Sequence, residues 1–177
     1  MAGKIKPLEQ AKLLDYALRV LGGRACSTSE LREKLRRRAE RVGDVDAVLA
    51  KLKESGYLDD RRFAENFAAA RLENHGLGKM RVLRDLRQRR VSPHLAEQVT
   101  ERTYESTDET ALIEAFLARK FRGKKLSTFL ADDKNLAAAY RRLRYAGFSS
   151  GTSIRVLKRY ASQAGELEDM ESPEPDS

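Results

Sequence analysis

The side chains best suited to chemistry in this sequence are the basic residues between positions 79 and 90. If this segment is a helix, its spacing places Val82, Leu83 and Leu86 on one face. Arg81 and Arg84 then lie on the opposite face. Guanidinium groups pair their N–H donors with phosphate or carboxylate oxygens, so this face is suited to an anionic partner. The helix dipole explains part of the charge near the end of the segment, but it does not explain Arg81 or Arg84.

A second basic set lies in the last third of the chain. Helical spacing places Arg141 and Tyr145 on a face turned away from Leu143. Arginine beside an aromatic ring can hold a phosphate and stack on a base. We therefore predict that both sets contact an anionic partner, with the DNA phosphate backbone among the candidates. The residues of this predicted surface are Lys79, Arg81, Arg84, Arg87, Arg90, Arg141, Arg144, Arg155 and Lys158.

No pattern in the sequence predicts catalysis or metal binding. The segment 123–127 resembles the end of a phosphate-binding loop, but it lacks a glycine five residues earlier and has Lys125 where Ser or Thr is needed. The single cysteine, Cys26, is inconsistent with a disulfide framework or a cysteine-built zinc site. Helix capping explains Asp59, and no further carboxylates follow at ligand spacing. We therefore expect no enzyme activity, no cofactor and no metal ion.

The charge of the chain is unevenly distributed. The sequence of 177 residues has 35 Lys and Arg against 27 Asp and Glu, for a net charge of +8. Six of the acids and none of the bases lie in residues 165–177, so the rest of the chain has 21 acids and a net charge of +14. A body this basic is attracted to polyanions or to acidic protein surfaces. We predict that the acidic tail, 165–177, is disordered.

The sequence also bears on location. The longest run without a charged residue has ten residues, 145–154, which is too short to cross a bilayer. The chain does not open with the pattern of a signal peptide. We therefore expect a cytoplasmic protein that does not associate with membranes, and we expect it to be a monomer.

Apolar residues recur at three- and four-residue spacing along most of the chain, which predicts nine helices and an all-α class. Leu35, Leu86 and Leu143 occupy matching positions in three groups of helices, 51 and 57 residues apart. We predict three tandem three-helix repeats, at 8–56, 57–104 and 107–161, that form an elongated, curved body. The Lys-rich stretch from 120 to 133 is predicted to be mostly linker.

The segment that opens the second repeat, residues 57–63, has the pattern of a helix start. Asp59 is suited to cap the following helix, with Asp60 beside it. Leu58 precedes the cap and can pack on Phe63 as a hydrophobic staple, next to Tyr57. We expect Phe63 to lie in the core. A capping box, Ser27 with Glu30, is predicted at the start of the second helix.

The same segment carries a resemblance to a known family. Residues 56–64 read Gly-Tyr-Leu-Asp-Asp-Arg-Arg-Phe-Ala, and the segments 29–35, 78–87 and 144–149 follow the order of three family repeats. On these motifs the sequence resembles the RecX family of bacterial recombination regulators. The second repeat of that family usually has glycine where this sequence has Arg90, and the third repeat often has a basic residue near Tyr145 and Ala146.

The resemblance implies a three-repeat helical protein that acts in DNA repair, homologous recombination and the SOS response. It implies binding to the RecA recombinase, insertion along the groove of the RecA–DNA filament, and reduced ATPase, coprotease and strand-exchange activities. Two other functions fit the basic faces. One is a helical protein that binds DNA or RNA directly, with an arginine-bearing helix in a groove. The other is an RNA-associated adaptor that binds the backbone without sequence preference.

Overall fold

The structure, a computed structural model, describes residues 7–171, with side chains described for residues 7–162. This part of the chain consists of helices joined by short loops. The helices are α1 (Gln10–Gly23), α2 (Thr28–Arg36), α3 (Val42–Glu54), α4 (Asp60–Glu73), α5 (Lys79–Gln88), α6 (Pro93–Tyr104), α7 (Glu109–Lys120), α8 (Leu126–Leu130), α9 (Asp133–Ala146) and α10 (Ser150–Glu171). Within 7–171 there is no strand, apart from one isolated bridge between Leu8 and Ala39. The predicted all-α class is confirmed.

The helices form two compact units. Within the described residues, unit 1 comprises 7–69 and 83–102, and unit 2 comprises 70–82 and 103–171. The boundaries fall within α4, α5 and α6, so the segment 57–104 contributes residues to both units. The limits of the three repeats therefore stay a prediction.

Unit 1 has its own apolar core, built from one face each of α1, α2 and α3. Leu13, Leu31 and Leu35 are fully buried there, and Leu52 is 1% exposed. Helix α2 begins with the predicted capping box, because the Ser27 hydroxyl accepts from the Glu30 N–H and the Glu30 carboxylate accepts from the Ser27 N–H, both at 3.1 Å. This cap satisfies two backbone donors that the helix itself leaves unpaired.

The two aspartates at the start of α4 serve different helices. The Asp59 carboxylate accepts from the N–H groups of Arg61 at 2.9 Å and Arg62 at 3.0 Å, which confirms it as the cap of α4. The Asp60 carboxylate instead accepts from the Thr28 N–H at 2.6 Å, at the first residue of α2. A carboxylate at this position also interacts favourably with the positive end of the helix dipole. Asp60 therefore connects α4 to α2.

The expectation that Phe63 lies in the core is wrong. The buried face of α4 is made by Ala64 and Ala68, while Phe63 and Phe67 are half-buried. Their rings lie beneath the Arg89 guanidinium, at 5.1 and 5.7 Å from its central carbon. The small alanines allow close helix packing, so the larger rings fall to the side of the interface, where a cation covers them.

Unit 2 has a second core, and it corrects the prediction of a linker at 120–133. Ile113, Leu117 and Leu143 are fully buried in this core. The five-residue helix α8 lies within the expected linker and buries Leu130 completely. The surrounding lysines and the short length of α8 concealed its apolar pattern, although Phe129 packs on the same core.

The last helix extends into the segment predicted to be a disordered tail. Helix α10 continues to Glu171, so residues 165–171 are helical in this structure. That stretch contains Glu, Leu and Met, which have high helix propensity, and the helix continues from a well-packed first part. The remainder of the predicted tail, 172–177, lies outside the described residues.

Candidate anion-binding surface

The two faces of α5 lie as its spacing predicts. Val82 and Leu86 are fully buried, and Leu83 is half-buried. On the other side, Arg84 is exposed and Arg81 is half-buried. The helix therefore buries its apolar side and leaves a strongly basic side at the surface.

Helix α5 ends in a turn that usually contains glycine. The Arg90 N–H donates to the Arg87 carbonyl at 2.9 Å, and the Val91 N–H donates to the Leu86 carbonyl at 3.2 Å. These two bonds define a Schellman motif, whose turning residue adopts a left-handed conformation. Arg90 fills that position with φ of 57°, and no other non-glycine residue among the described ones has a positive φ. Arg90 thus occupies the position of this turn that is usually glycine.

Two residues of the predicted surface are engaged within unit 1. The Arg87 guanidinium lies 2.5 Å from the Glu97 carboxylate, and Arg90 pairs with Glu33. A hydrogen bond from Arg37, together with the charge of Arg90, lowers the pKa of the Glu33 carboxyl below its ordinary value. Both arginines remain exposed, so the pairs do not remove them from the surface.

Arg89, which was not part of the predicted surface, has a structural role. Its guanidinium donates to the Glu30 carboxylate at 2.7 Å and to the Ala25 carbonyl at 2.9 Å, and it covers the rings of Phe63 and Phe67. The Ser27 hydroxyl donates to the Arg89 carbonyl at 2.6 Å. In unit 1 the end of α5 is thereby joined to the start of α2.

A similar junction exists in unit 2, where the start of α5 meets the end of α9. The N–H of Gly78 donates to the Ala146 carbonyl at 2.9 Å, and the N–H of Met80 donates to the Gly147 carbonyl at 3.1 Å. A Cβ atom on Gly147 would lie 2.1 Å from the Arg81 nitrogen, and one on Gly78 would lie 2.4 Å from the Gly147 carbonyl carbon. The two backbones can approach this closely because both positions lack a side chain.

This junction positions Arg81 against Tyr145. The Arg81 guanidinium lies 4.6 Å from the centre of the Tyr145 ring, and it donates to the Tyr145 carbonyl at 3.4 Å. Tyr145 as a whole is 69% exposed. The prediction that Arg141 and Tyr145 lie away from the core is confirmed, because both are exposed while Leu143 is fully buried.

Arg81, Arg141 and Tyr145 line a surface pocket of about 990 Å³ in unit 2, which we call the basin. Sequence reasoning missed four other polar residues that line it, namely Arg71, His75, Lys120 and Arg142. They come from α4 and the loop after it, from α7 and from α9, and no spacing in the sequence connects these three segments. Only the adjacency of Arg141 and Arg142 could have indicated one of them.

The other predicted residues of unit 2 lie elsewhere. Arg144 donates to the Phe148 carbonyl and so supports the turn after α9. Arg155 and Lys158 are exposed on α10, and neither lines the basin. Lys79 is half-buried beside Gly78, at a smaller cavity of about 290 Å³. The predicted surface is therefore divided into several clusters of cations, and the cations are most concentrated at the basin.

Glu109 fixes the start of α10. Its carboxylate accepts from the Ser149 N–H at 2.7 Å and from the Ser149 hydroxyl at 2.6 Å. Burial alone would raise the pKa of Glu109, but hydrogen bonds from Ser149 and Thr152, with the charge of Arg144, lower it below its ordinary value. Glu109 is therefore ionised near neutral pH and acts as a structural group.

The described residues offer neither a metal site nor a membrane span. No group of three or more His, Cys, Asp or Glu side chains in that part of the chain is arranged to hold a metal ion. No helix there is both long enough and apolar enough to cross a membrane.

Comparison with known proteins places the chain in a family. Residues 59–99 match the family model described as RecX, second three-helix domain. The regulatory protein RecX of one Thermus thermophilus strain is 34% identical over 160 residues, which cover 88% of this chain and 96% of that protein. The chain belongs to the RecX family.

Two further comparisons are consistent with that assignment. The regulatory protein RecX of Halorhodospira halophila is 44% identical over 87 residues, and this match spans 49% of the present chain and about half, 53%, of that relative. The crystal structure of RecX from Lactobacillus salivarius superposes with a TM-score of 0.61 at 16% identity, covering 85% of this chain and 96% of that one. At this identity the structural match shows a shared fold.

Proposed function

We propose that this chain binds the RecA recombinase and the RecA–DNA filament, and that it modulates, mostly by inhibition, the ATPase, coprotease and strand-exchange activities of RecA. The observation that carries the proposal is the 34% identity to a regulatory protein RecX over nearly the full length of both chains. The resemblance of this chain to the RecX family implies this regulatory role.

The charge distribution supports such a role. Arg84, Arg141, Arg155 and Lys158 are exposed, and these cations attract DNA phosphates and acidic protein surfaces alike. A protein that contacts a filament more strongly in one state than in another shifts the filament toward that state. This mechanism requires binding only, so no group of the chain has to form or break a covalent bond.

The direct test is RecA ATPase activity on single-stranded DNA with increasing amounts of this chain. We expect progressive inhibition by the wild-type chain. Arg84→Glu and Arg141→Glu, made separately, should each inhibit more weakly, because each reverses an exposed charge of the surface. Arg141 is a better probe than Arg81, whose reversal would also disturb the contact with Tyr145.

A matched control is available in unit 1. Lys51 and Lys53 are exposed cations on α3 and are not among the residues of the proposed surface. The double variant Lys51→Glu, Lys53→Glu changes the net charge by more than either single variant, so general charge effects would appear there first. Full inhibition by this control and weak inhibition by Arg141→Glu would assign the effect to the surface. No inhibition by the wild-type chain would refute the proposal.

A second candidate function is direct binding to nucleic acid without RecA. The observation that favours it is the concentration of arginine beside an exposed tyrosine in unit 2. Tight binding to free duplex DNA, together with unchanged RecA ATPase, would select this function over regulation of the filament.

A further inference from the structure

The basin of unit 2 gathers positive charge from four helices, α4, α5, α7 and α9. Its cationic residues are Arg71, Arg81, Lys120, Arg141 and Arg142, with His75 at the same wall. Among the described residues that line it there is no Asp or Glu. The volume, about 990 Å³, is at the upper end of the range of small-ligand sites. The basin therefore fits a ligand of nucleotide size that carries several negative charges.

Aromatic rings hold several of these cations in place. The Lys120 ammonium lies 5.9 Å from the centre of the Phe116 ring, and the Arg142 guanidinium lies 5.3 Å from the centre of the Phe121 ring. A cation–π contact uses the ring face and leaves N–H donors at the edge of the cation to bind oxygen atoms. The wall near His75 is also fixed, because Arg119 donates to the His75 carbonyl. The positive groups are thus positioned before a ligand arrives.

Tyr145 adds a feature that anion binding alone does not require. Tyr145 is 69% exposed, and the Arg81 guanidinium lies over its ring, 4.6 Å from the ring centre. An exposed ring beside several cations is the combination with which proteins hold a nucleotide, since the phosphates pair with the cations and the base stacks on the ring. An acidic peptide would use the charges equally well, but its carboxylates would make no use of the exposed ring.

We propose that this basin binds a nucleotide, with the phosphates held by Arg141, Arg142 and Lys120 and the base stacked on Tyr145. The nucleotide can be part of a single strand or a free nucleoside triphosphate, because the chemistry that recognises it is the same. This inference rests on and deepens the proposed function, since it names the chemical group that one part of the basic surface would hold. It is tested in the absence of RecA, so the two can fail separately.

The experiment compares two fluorescent 15-mers of equal charge, an oligothymidine and an abasic strand, by anisotropy with the full chain. We expect the oligothymidine to bind about tenfold more tightly, because only that strand offers bases for stacking. Tyr145→Ala should remove this preference, and Tyr145→Phe should retain it. Arg142→Glu should weaken binding of both strands and reduce the salt dependence.

Tyr57 provides a matched control. It is a second exposed tyrosine, 62% exposed, and it belongs to unit 1 and does not line the basin. Tyr57→Ala should leave the preference for oligothymidine unchanged. Circular dichroism of each variant checks that the helices are retained, and both tyrosines are exposed enough to be replaced without loss of the fold.

Competition with adenosine triphosphate distinguishes the two sources. Displacement of the strand at submillimolar nucleotide identifies a site for free nucleotides, whereas binding of the strand without displacement identifies a site for a single strand. Equal affinity of the wild-type chain for the two 15-mers would overturn the inference, as would an unchanged preference in Tyr145→Ala. If RecA ATPase is still inhibited in that case, the proposed function stands without the nucleotide site.

Discussion

Helices α5 and α9 end in the same hydrogen-bonded turn but use different residues to make it. In α5 the two turn bonds are 2.9 and 3.2 Å long, and in α9 the matching bonds, from Gly147 to Arg144 and from Phe148 to Leu143, are both 3.1 Å long. In each turn the apolar residues on both sides are buried, namely Leu86 with Val91 and Leu143 with Phe148. The left-handed position, however, is Arg90 in one turn and Gly147 in the other.

The difference shows which feature fixes the turn and which feature requires glycine. The buried apolar pair is common to both turns, so it can hold the conformation even with a side chain at the left-handed position. Glycine is required at Gly147 because the backbone of Arg81 approaches it. Arg90 is exposed and its side chain reaches Glu33, so the turn of α5 has room for a long residue.

The largest effect should come from placing a side chain at Gly147. Gly147→Ala puts a Cβ atom 2.1 Å from the Arg81 nitrogen and also forces alanine into a left-handed conformation. We expect the free energy of unfolding to fall by about 3 kcal/mol, as measured by urea denaturation. Gly151→Ala is the control, because nothing lies within 4 Å of its added Cβ. Equal stability of Gly147→Ala and wild type would contradict the close approach.

A second test separates a structural arginine from a surface arginine. Arg89→Ala removes one of the partners of Glu30, whose side chain is only 14% exposed, and uncovers two aromatic rings. We expect a loss of about 2 kcal/mol in the free energy of unfolding. Arg36→Ala, at an exposed position of α2, should change stability by less than about 0.5 kcal/mol. Similar values for the two variants would show that the Arg89 contacts contribute little.

The third prediction concerns the segment that follows the turn of α9. Glu109→Gln replaces the carboxylate that accepts two hydrogen bonds from Ser149, and we expect a loss of about 1.5 kcal/mol at pH 7. Because folding lowers the pKa of Glu109, its contribution is complete above its pKa in the unfolded chain and is lost as the pH falls through its pKa in the folded protein. Urea denaturation at a series of pH values should therefore show the two proteins converging in acid. A constant difference down to pH 3 would assign the effect to something other than the charge.

The smallest effect should be a gain. Arg90→Gly relieves the left-handed strain of a residue with a Cβ atom, and we expect stability to rise by about 0.5–1 kcal/mol. The exposed ion pair with Glu33 is lost, but such pairs contribute little. Arg90→Ala is the control, since it loses the same ion pair and keeps the strain. Thermal denaturation should rank glycine above arginine and alanine, and the reverse order would show that Arg90 is not strained.

Local signals in the sequence predicted much of the fold. The capping box at Ser27, the cap at Asp59 and the two faces of α5 each depend on residues within two helical turns, and all three are present in the structure. Leu86 and Leu143, which the sequence placed at matching positions of two repeats, precede two turns with the same pattern of hydrogen bonds. Interactions of this kind are encoded by neighbours in the chain.

Features that depend on packing could not be predicted in the same way. Phe63 has the pattern of a core residue, but the close packing of alanines displaced its ring to a position beneath Arg89. Helix α8 is too short to show a period among its lysines. The basin brings Arg71, Lys120 and Arg142 together from segments far apart in the chain, and only the tertiary structure shows this. Of the residues that line the basin, the sequence therefore predicted only Arg81, Arg141 and Tyr145.

The central claim, that exposed cations of this chain bind the RecA–DNA filament, is tested most directly by co-sedimentation with preformed filaments across a range of salt concentrations. We expect binding that weakens as salt rises, and weaker binding with a smaller salt dependence for the folded variant Arg141→Glu, Arg155→Glu. Binding of this variant that equals wild type at every salt concentration would contradict the claim.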